Sequence, residues 1–191
     1  ISPLCPLPLE KGGAVRIWNI AKLLSQKHDL DLVCFIRDER ELKYESELKK
    51  VFKKVTFIKR KKLLNAQYLL SSLSHTIEFL SQNFKLLGQV LFSDRPLLSL
   101  LYDSSEMREF IVNADKSKKY DLLYAETFYS IACIKEDLRN LETPLLLIEQ
   151  NIESAMYKRL ATSQKVLPIK MFMEKDVEKI KAEEEYFWNS I

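Results

Sequence analysis

The chain has 191 residues, 47% of them hydrophobic and 30% charged, with a net charge of +3. That length suffices for one α/β domain with a full core, and is too short for two large ones. The composition excludes an intrinsically disordered chain, and so small a positive excess gives no reason to expect nucleic acid as a partner.

The opening, Pro3 to Gly13, is proline-rich and reads as a loop, because proline blocks helix there. It is too proline-rich for the apolar core of a signal peptide. Ile1-Ser2-Pro3 reads as the tail of a first strand, so residues missing before it are expected. From Ala14 to about Lys27, Ile17, Ile20, Ala21 and Leu24 fall on one helical face. Leu30 to Ile36 is a short, nearly continuous apolar run, the pattern of a buried parallel strand. Glu39 to Lys53 is charged, with Leu42, Leu48, Val51 and Phe52 supplying an apolar face. Val55 to Ile58 is the next strand.

The basic run Lys59 to Lys62 opens a long helical region reaching about Phe92, which Asp94-Arg95-Pro96 interrupts. A second helical stretch covers about Ser105 to Ala114. Asp121 to Ala125 reads as a strand, Tyr129 to Leu141 as a helix and Pro144 to Ile148 as another strand. Two helices follow, about Ile152 to Thr162 and Ile169 to Asn189. The last is expected to lead on beyond Ile191. Strands alternating with helices predict a Rossmann-like, doubly wound parallel sheet flanked by helices. The whole of 1–191 reads as a single domain, with an extended helical insertion at about 59–115, after the third strand. No apolar run approaches the roughly 20 residues of a membrane-spanning helix.

Cys5, Cys34 and Cys133 lie far apart and lack CxxC spacing, which points to neither a disulfide framework nor a zinc site; a reducing cytoplasm fits best. His28 and His75 have no metal-ligand spacing to a carboxylate or cysteine, so no metal is expected.

Ligands of doubly wound sheets bind beyond the carboxyl ends of the strands. The first such end leads to Gly12-Gly13, a glycine pair feeding a helix, with Arg16 one turn inside it. Glycine lets backbone N–H groups approach a phosphate, and the helix N-terminus adds positive potential. On spacing alone the pair is an ordinary turn beside a solvated arginine, since it is neither GxGxxG nor a Walker loop. Later strand ends lead to Glu126, and to Glu149, Gln150, Asn151 and Glu153. Carboxylates and amides after buried strands can bind hydroxyl-rich ligands or act as general bases. Asn151 also suits a helix N-cap and Glu153 a first turn. Capping does not account for Glu126 and Glu149, which the strand order brings to one sheet edge. Lys59 to Lys62, beside Leu63, Leu64, Tyr68, Leu69 and Leu70, suits either a solvated face or contact with an anionic membrane surface.

Several stretches, in order, resemble one family. SPLCPLPLEKGGAVRIWNIAKLLSQKHDLDLVCF looks like the start of family-4 retaining glycosyltransferases: a strand ending in Ser-Pro, a proline-rich loop, Gly-Gly, an Arg-bearing helix, then a strand. YDLLYAET, LLLIEQNIESAMYKR and DRPLLSLLYDSSEM resemble later segments of the same family, and the final helix with Trp188 resembles the one that crosses toward its second domain. The resemblance implies the N-terminal, acceptor-side half of a GT-B fold. It implies transfer of a sugar from a nucleotide-sugar donor to a glycan or lipid-linked acceptor, as in polysaccharide biosynthesis. The donor would be bound by a C-terminal domain of the same protein, so 1–191 alone would carry no cofactor and no activity. By the same resemblance Gly12 and Gly13, with Arg16, would contact the donor diphosphate. Glu126, Glu149, Gln150, Asn151 and Glu153 would line the acceptor side, with Glu126 and Glu149 as catalytic candidates. Many relatives have His where this chain has Gln150. Glutamine bonds a hydroxyl but cannot shuttle a proton near neutral pH, which counts against a general base at this position. The expected location is the cytoplasm, peripheral at the inner face of the membrane if the basic run binds lipid. The contrasting reading is a non-catalytic Rossmann-like module that docks on a membrane surface or a protein partner.

Overall fold

The structure, a computed structural model, describes residues 1–61, 88–90, 92–165 and 167–191. It is mixed α/β, with two parallel two-stranded sheets. Helix α1 (Gly12–Leu24) buries Ala14, Ile17, Trp18 and Ala21, the apolar face that the sequence spacing predicts. Strand β1 (Asp31–Ile36) pairs in parallel with β2 (Lys54–Lys59), Leu32 opposite Val55 and Cys34 opposite Phe57. Strand β3 (Leu123–Glu126) pairs in parallel with β4 (Leu145–Ile148), Leu123 opposite Leu145 and Glu126 opposite Ile148.

β1 is buried on both faces because its side chains alternate between two cores. Leu32, Cys34 and Ile36 face Trp18 and Ala21 of α1 together with Leu48 and Phe52. Val33 and Phe35 face the larger core. That core includes Leu98, Leu101 and Tyr102 of α3 (Leu97–Tyr102), Met107 and Ile111 of α4 (Ser105–Lys116), and Ile180 and Phe187 of the long closing helix. Phe35 meets Tyr102 edge to face, ring centroids 5.1 Å apart.

The first two residues touch both sheets. Ser2 N–H donates to Val33 O (2.9 Å) and Phe35 N–H to Ser2 O (3.1 Å). The Ile1 amine donates to Tyr124 O (2.6 Å) and Glu126 N–H to Ile1 O (3.0 Å). Ile1-Ser2 therefore bridges β1 and β3 with the pattern of a parallel strand.

Two expectations need correction, and one pair of residues meets unexpectedly. Glu39 to Lys53 is not one amphipathic helix. It forms a 3-10 turn, Glu39–Tyr44, which Asp38 starts by accepting the Arg40 N–H, and then the single turn α2 (Glu45–Leu48). Of these two elements only Leu48 is buried, too little apolar surface to hold a longer helix. Tyr129 to Leu141 is likewise not an α-helix but two 3-10 segments, Phe128–Ile134 and Leu138–Asn140. Phe128, Ile131 and Ile134 are all fully buried at a spacing of three, and only a three-residue turn keeps such residues on one line. Cys5 and Cys34, distant in sequence, meet in the fold, where each shifts the other's acidity: Cys34 is driven up by Cys5 and by burial. All three cysteines are free.

The two last helices are present as α5 (Glu153–Ser163) and α6 (Leu167–Ser190). The buried face of α6 carries Val177, Ile180 and Phe187, but also Asp176, Glu183 and Glu184. Two of these carboxylates serve other helices. Asp176 accepts the Leu97 N–H at the start of α3 (3.0 Å), and Glu184 accepts the N–H groups of Glu153 (2.5 Å) and Ser154 (3.2 Å) at the start of α5. Neither α3 nor α5 has a side-chain cap of its own.

Candidate functional site

Helix α1 begins at Gly12, earlier than the sequence pattern suggests. Lys11 at its cap makes no side-chain capping bond, and its first turn holds no acidic residue. The partial positive charge of this terminus is therefore uncompensated by the helix itself. The two glycines differ. A Cβ at Gly12 would meet nothing within 4 Å, whereas one at Gly13 would lie 2.6 Å from Gln150 Oε1. Glycine at 13 thus leaves room for the Gln150 side-chain amide to lie against the start of α1.

One turn further, Arg16 Nη1 binds Glu126 Oε2 at 2.9 Å. Glu126 ends β3 and is buried. Gln150 Nε2 donates to the same oxygen at 3.0 Å, and the Tyr124 hydroxyl donates to Oε1 at 2.8 Å. Burial, then the bond to Glu126, pushes the Tyr124 hydroxyl well up, so it remains a donor. Four of the residues singled out from the sequence, Gly13, Arg16, Glu126 and Gln150, thus form one cluster joining α1, β3 and the β4 loop. Both Glu126 oxygens are engaged. That arrangement suits holding Arg16 and Gln150 in place, charge-assisted and in a fixed orientation.

Glu149 and Glu153 belong to a second cluster. Glu149 Oε1 accepts the Phe128 N–H at 2.9 Å; its Oε2 is buried with no hydrogen-bond partner among the described residues. Glu153 is buried against Glu184. Burial raises Glu149 to about 7, against the Phe128 N–H, with Glu184 and Glu153 adding to the rise. Burial and then Glu184 raise Glu153 to about 7 as well. Consecutive residues of an extended segment point to opposite sides, so Gln150 turns to α1 and Glu149 to α6. Glu126 and Glu149 thus leave neighbouring strand ends but serve different clusters.

Asn151 is exposed and does not cap α5. The cap residue is Ile152 and the capping oxygens come from Glu184, while the Asn151 side chain stands beside the Glu153 carboxyl. Gly12 is exposed at the lip of α1.

Between the two clusters lies Thr127, buried, with φ 72° and ψ 141°. A β-branched residue at positive φ is strained, and such strain concentrates at functional sites. The sequence gives no signal for it. Tyr124 was readable in principle, two residues before Glu126 on the same strand face; Glu184, from a helix 31 residues beyond Glu153, was not.

Beyond the carboxyl ends of β1 and β2, beside the α1 N-terminus, is a cavity of about 140 Å³ lined by Cys5, Leu7, Lys11, Phe35, Arg37 and Arg60, among others. Within the basic run, Lys59 pairs with Glu39 at 3.2 Å and Arg60 donates to the Tyr102 hydroxyl at 2.9 Å. Lys62 and the apolar residues Leu63, Leu64, Tyr68, Leu69 and Leu70 lie outside the described residues, as does the rest of the expected insertion up to residue 87. Among the described residues no helix is long and apolar enough to cross a membrane. Comparison of the chain with protein-family models, with curated proteins and with solved structures finds no match.

Proposed function

We propose that this chain is the acceptor-side half of a retaining glycosyltransferase of the GT-B type. In this reading it presents a glycan or lipid-linked acceptor to a nucleotide sugar held by a second domain. The observation that carries it is the meeting of Gly13, Arg16, Glu126 and Gln150 where parallel strands end and α1 begins. A helix terminus free of its own cap, with a guanidinium one turn inside it, is chemistry for a diphosphate. Glu126 fixes that guanidinium.

The same reading takes the fold to be one doubly wound sheet, in the order β2, β1, Ile1-Ser2, β3, β4. Two observations support it: the two-faced burial of β1 and the bonds of Ile1-Ser2 to both neighbours. A topological switch point would then fall beside the first strand, at the Gly12-Gly13 loop.

The reading is tested by following backbone amide resonances while titrating inorganic pyrophosphate and, separately, common nucleotide sugars. Millimolar pyrophosphate is expected to move the Gly12 and Gly13 amides, and Arg16→Ala to abolish the movement. Nucleotide sugars should bind no tighter than pyrophosphate, because the nucleoside would be held elsewhere. Sub-micromolar affinity for a nucleotide sugar, or silence at Gly12 and Gly13, would overturn it.

A further inference from the structure

The chain has 27 acidic residues in 191, yet none falls between Glu153 and Glu174, where Lys158, Arg159, Lys165 and Lys170 all lie. The fold gathers this stretch at one corner. α5 leaves the end of β4, and α6 returns toward it, since Glu184 bonds the first N–H groups of α5. The acid-free stretch is therefore the far end of an antiparallel helix pair, about 16 Å from Glu153 at the rise of an α-helix.

Apolar side chains stand exposed at the same corner. Leu160 in the last turn of α5 is 49% exposed; Leu167, Ile169 and Met171 in the first turns of α6 are 65%, 46% and 54% exposed. A single exposed apolar residue is ordinary, whereas a group of them rimmed by charge marks a contact surface. The cations around them are free to act. Lys158, Arg159 and Lys165 make no ion pair among the described residues, and Lys170 reaches Glu174 only at 4.0 Å. Lys158 and Arg159 line a surface groove of α5 with Thr162 and Ser163. The basic run that begins at Lys59 differs, because Lys59 is held by Glu39 and Arg60 by the Tyr102 hydroxyl.

We propose that the corner between α5 and α6 is a docking surface for an anionic lipid bilayer. Leu160, Leu167, Ile169 and Met171 enter the boundary between headgroups and acyl chains, and Lys158, Arg159, Lys165 and Lys170 meet lipid phosphates around them. The long stems of these cations let their charged ends stay in the headgroup layer while the apolar side chains go deeper. Charge decides the occupant. A second copy of this corner would bring the same cations against these, and like charges brought together repel. A bilayer of anionic lipids offers negative charge and an apolar interior side by side. The contact lies on the membrane rather than through it, since among the described residues no helix is long and apolar enough to cross. Glu174 and Glu178, the next carboxylates of α6, lie further along the helix, away from the corner.

The proposal does not depend on the transferase reading. It is tested by sedimenting the chain with vesicles of phosphatidylcholine, alone or mixed with phosphatidylserine. Each cation near an anionic surface contributes about fivefold, so partitioning onto the mixed vesicles is expected to exceed that onto phosphatidylcholine by about tenfold or more. Lys158→Gln, Arg159→Gln and Lys165→Gln together should remove this preference. Leu167→Ser with Met171→Ser should keep the preference and weaken binding to the mixed vesicles by about tenfold. Lys59→Gln with Lys61→Gln should leave both unchanged. All these positions are exposed, and far-UV dichroism checks that each variant is folded. Equal partitioning onto both vesicle types would overturn the proposal, as would a loss at Lys59 and Lys61 as large as that at the corner. So would self-association in the absence of vesicles that Leu167→Ser with Met171→Ser abolishes, because the face would then join copies of the chain.

Discussion

Arg16 and Glu126 form an ion pair with one member buried and the other about a third exposed, at 37% and 2% side-chain exposure for Arg16 and Glu126. Removing one partner of such a pair is worse than removing both, because the survivor keeps its desolvation cost. Arg16→Ala leaves Glu126 with Gln150 and Tyr124 still donating, so a loss of about 1–3 kcal/mol is expected. Glu126→Ala strips three donors at once and should cost more. The double variant should fall short of the sum of the two, and denaturant unfolding of all three measures the coupling; strict additivity would mean the pair contributes nothing. Glu149 offers a pH test. Its carboxyl is raised to about 7, so between the usual carboxylate range and 7 the folded state binds more protons than the unfolded. The stability that protonation provides is complete at low pH and is lost as pH rises through 7. Glu149→Gln keeps an oxygen for the Phe128 N–H and cannot ionise. It should leave the melting temperature at pH 5 nearly unchanged and raise it at pH 8, by about 2–4 °C for each kcal/mol recovered. Because Glu153 is raised in the same cluster, the wild-type transition should be broader than that of one isolated acid.

At the scale of elements, the start of α1 separates a conformational glycine from a contact glycine. Gly12 has open space around it and helical geometry. Gly12→Ala should stabilise the protein by about 0.4–1 kcal/mol, because alanine loses less backbone entropy on folding. Gly13→Ala gains the same propensity but drives the Gln150 side chain away and breaks its bond to Glu126. Its net effect should be near zero or destabilising. Thermal melts of the two variants decide the matter, and equal stabilisation by both would show that the Gly13–Gln150 approach is not maintained. Helix α6 shows a second dependence between elements. Two of its buried carboxylates, Asp176 and Glu184, look out of place on an apolar face, yet they supply the capping oxygens that α3 and α5 lack.

For the molecule as a whole, β1 is the shared wall of both cores, with Leu32, Cys34 and Ile36 in one and Val33 and Phe35 in the other. Loss of either core would expose β1, so the two should unfold together. Trp18 lies in the smaller core and Trp188 on α6, which packs on the larger. Within each single-tryptophan variant, the fluorescence of the remaining tryptophan and the far-UV dichroism should give coincident urea midpoints. Separate midpoints would show two independent units. Phe35→Ala should shift both probes equally, at a cost of about 3–5 kcal/mol.

Some of this was determined by local sequence. Leu32 to Phe35 announces a parallel strand because residues buried on both faces must be apolar throughout, whereas Val55 to Ile58 and Leu145 to Ile148 are short apolar runs that pair as strands while staying partly exposed. The sequence marked Gly12, Gly13 and Arg16 as one group and Glu126, Glu149, Gln150, Asn151 and Glu153 as another, both at strand ends; that Gly13, Arg16, Glu126 and Gln150 join in one cluster was decided by tertiary structure. So were the partners within that cluster. Alternation at the end of β4 sends Gln150 to α1 and Glu149 to α6, and neither destination is written near them in the chain. The same holds for the cap of α5: Asn151 has the right chemistry in the right place, but Glu184 arrives from α6 with two oxygens aimed at the same N–H groups and takes the position. Capping propensity is a local preference of about 1 kcal/mol. A buried carboxylate that would otherwise lack donors competes for those N–H groups with a larger stake, and that stake exists only once the helices have packed.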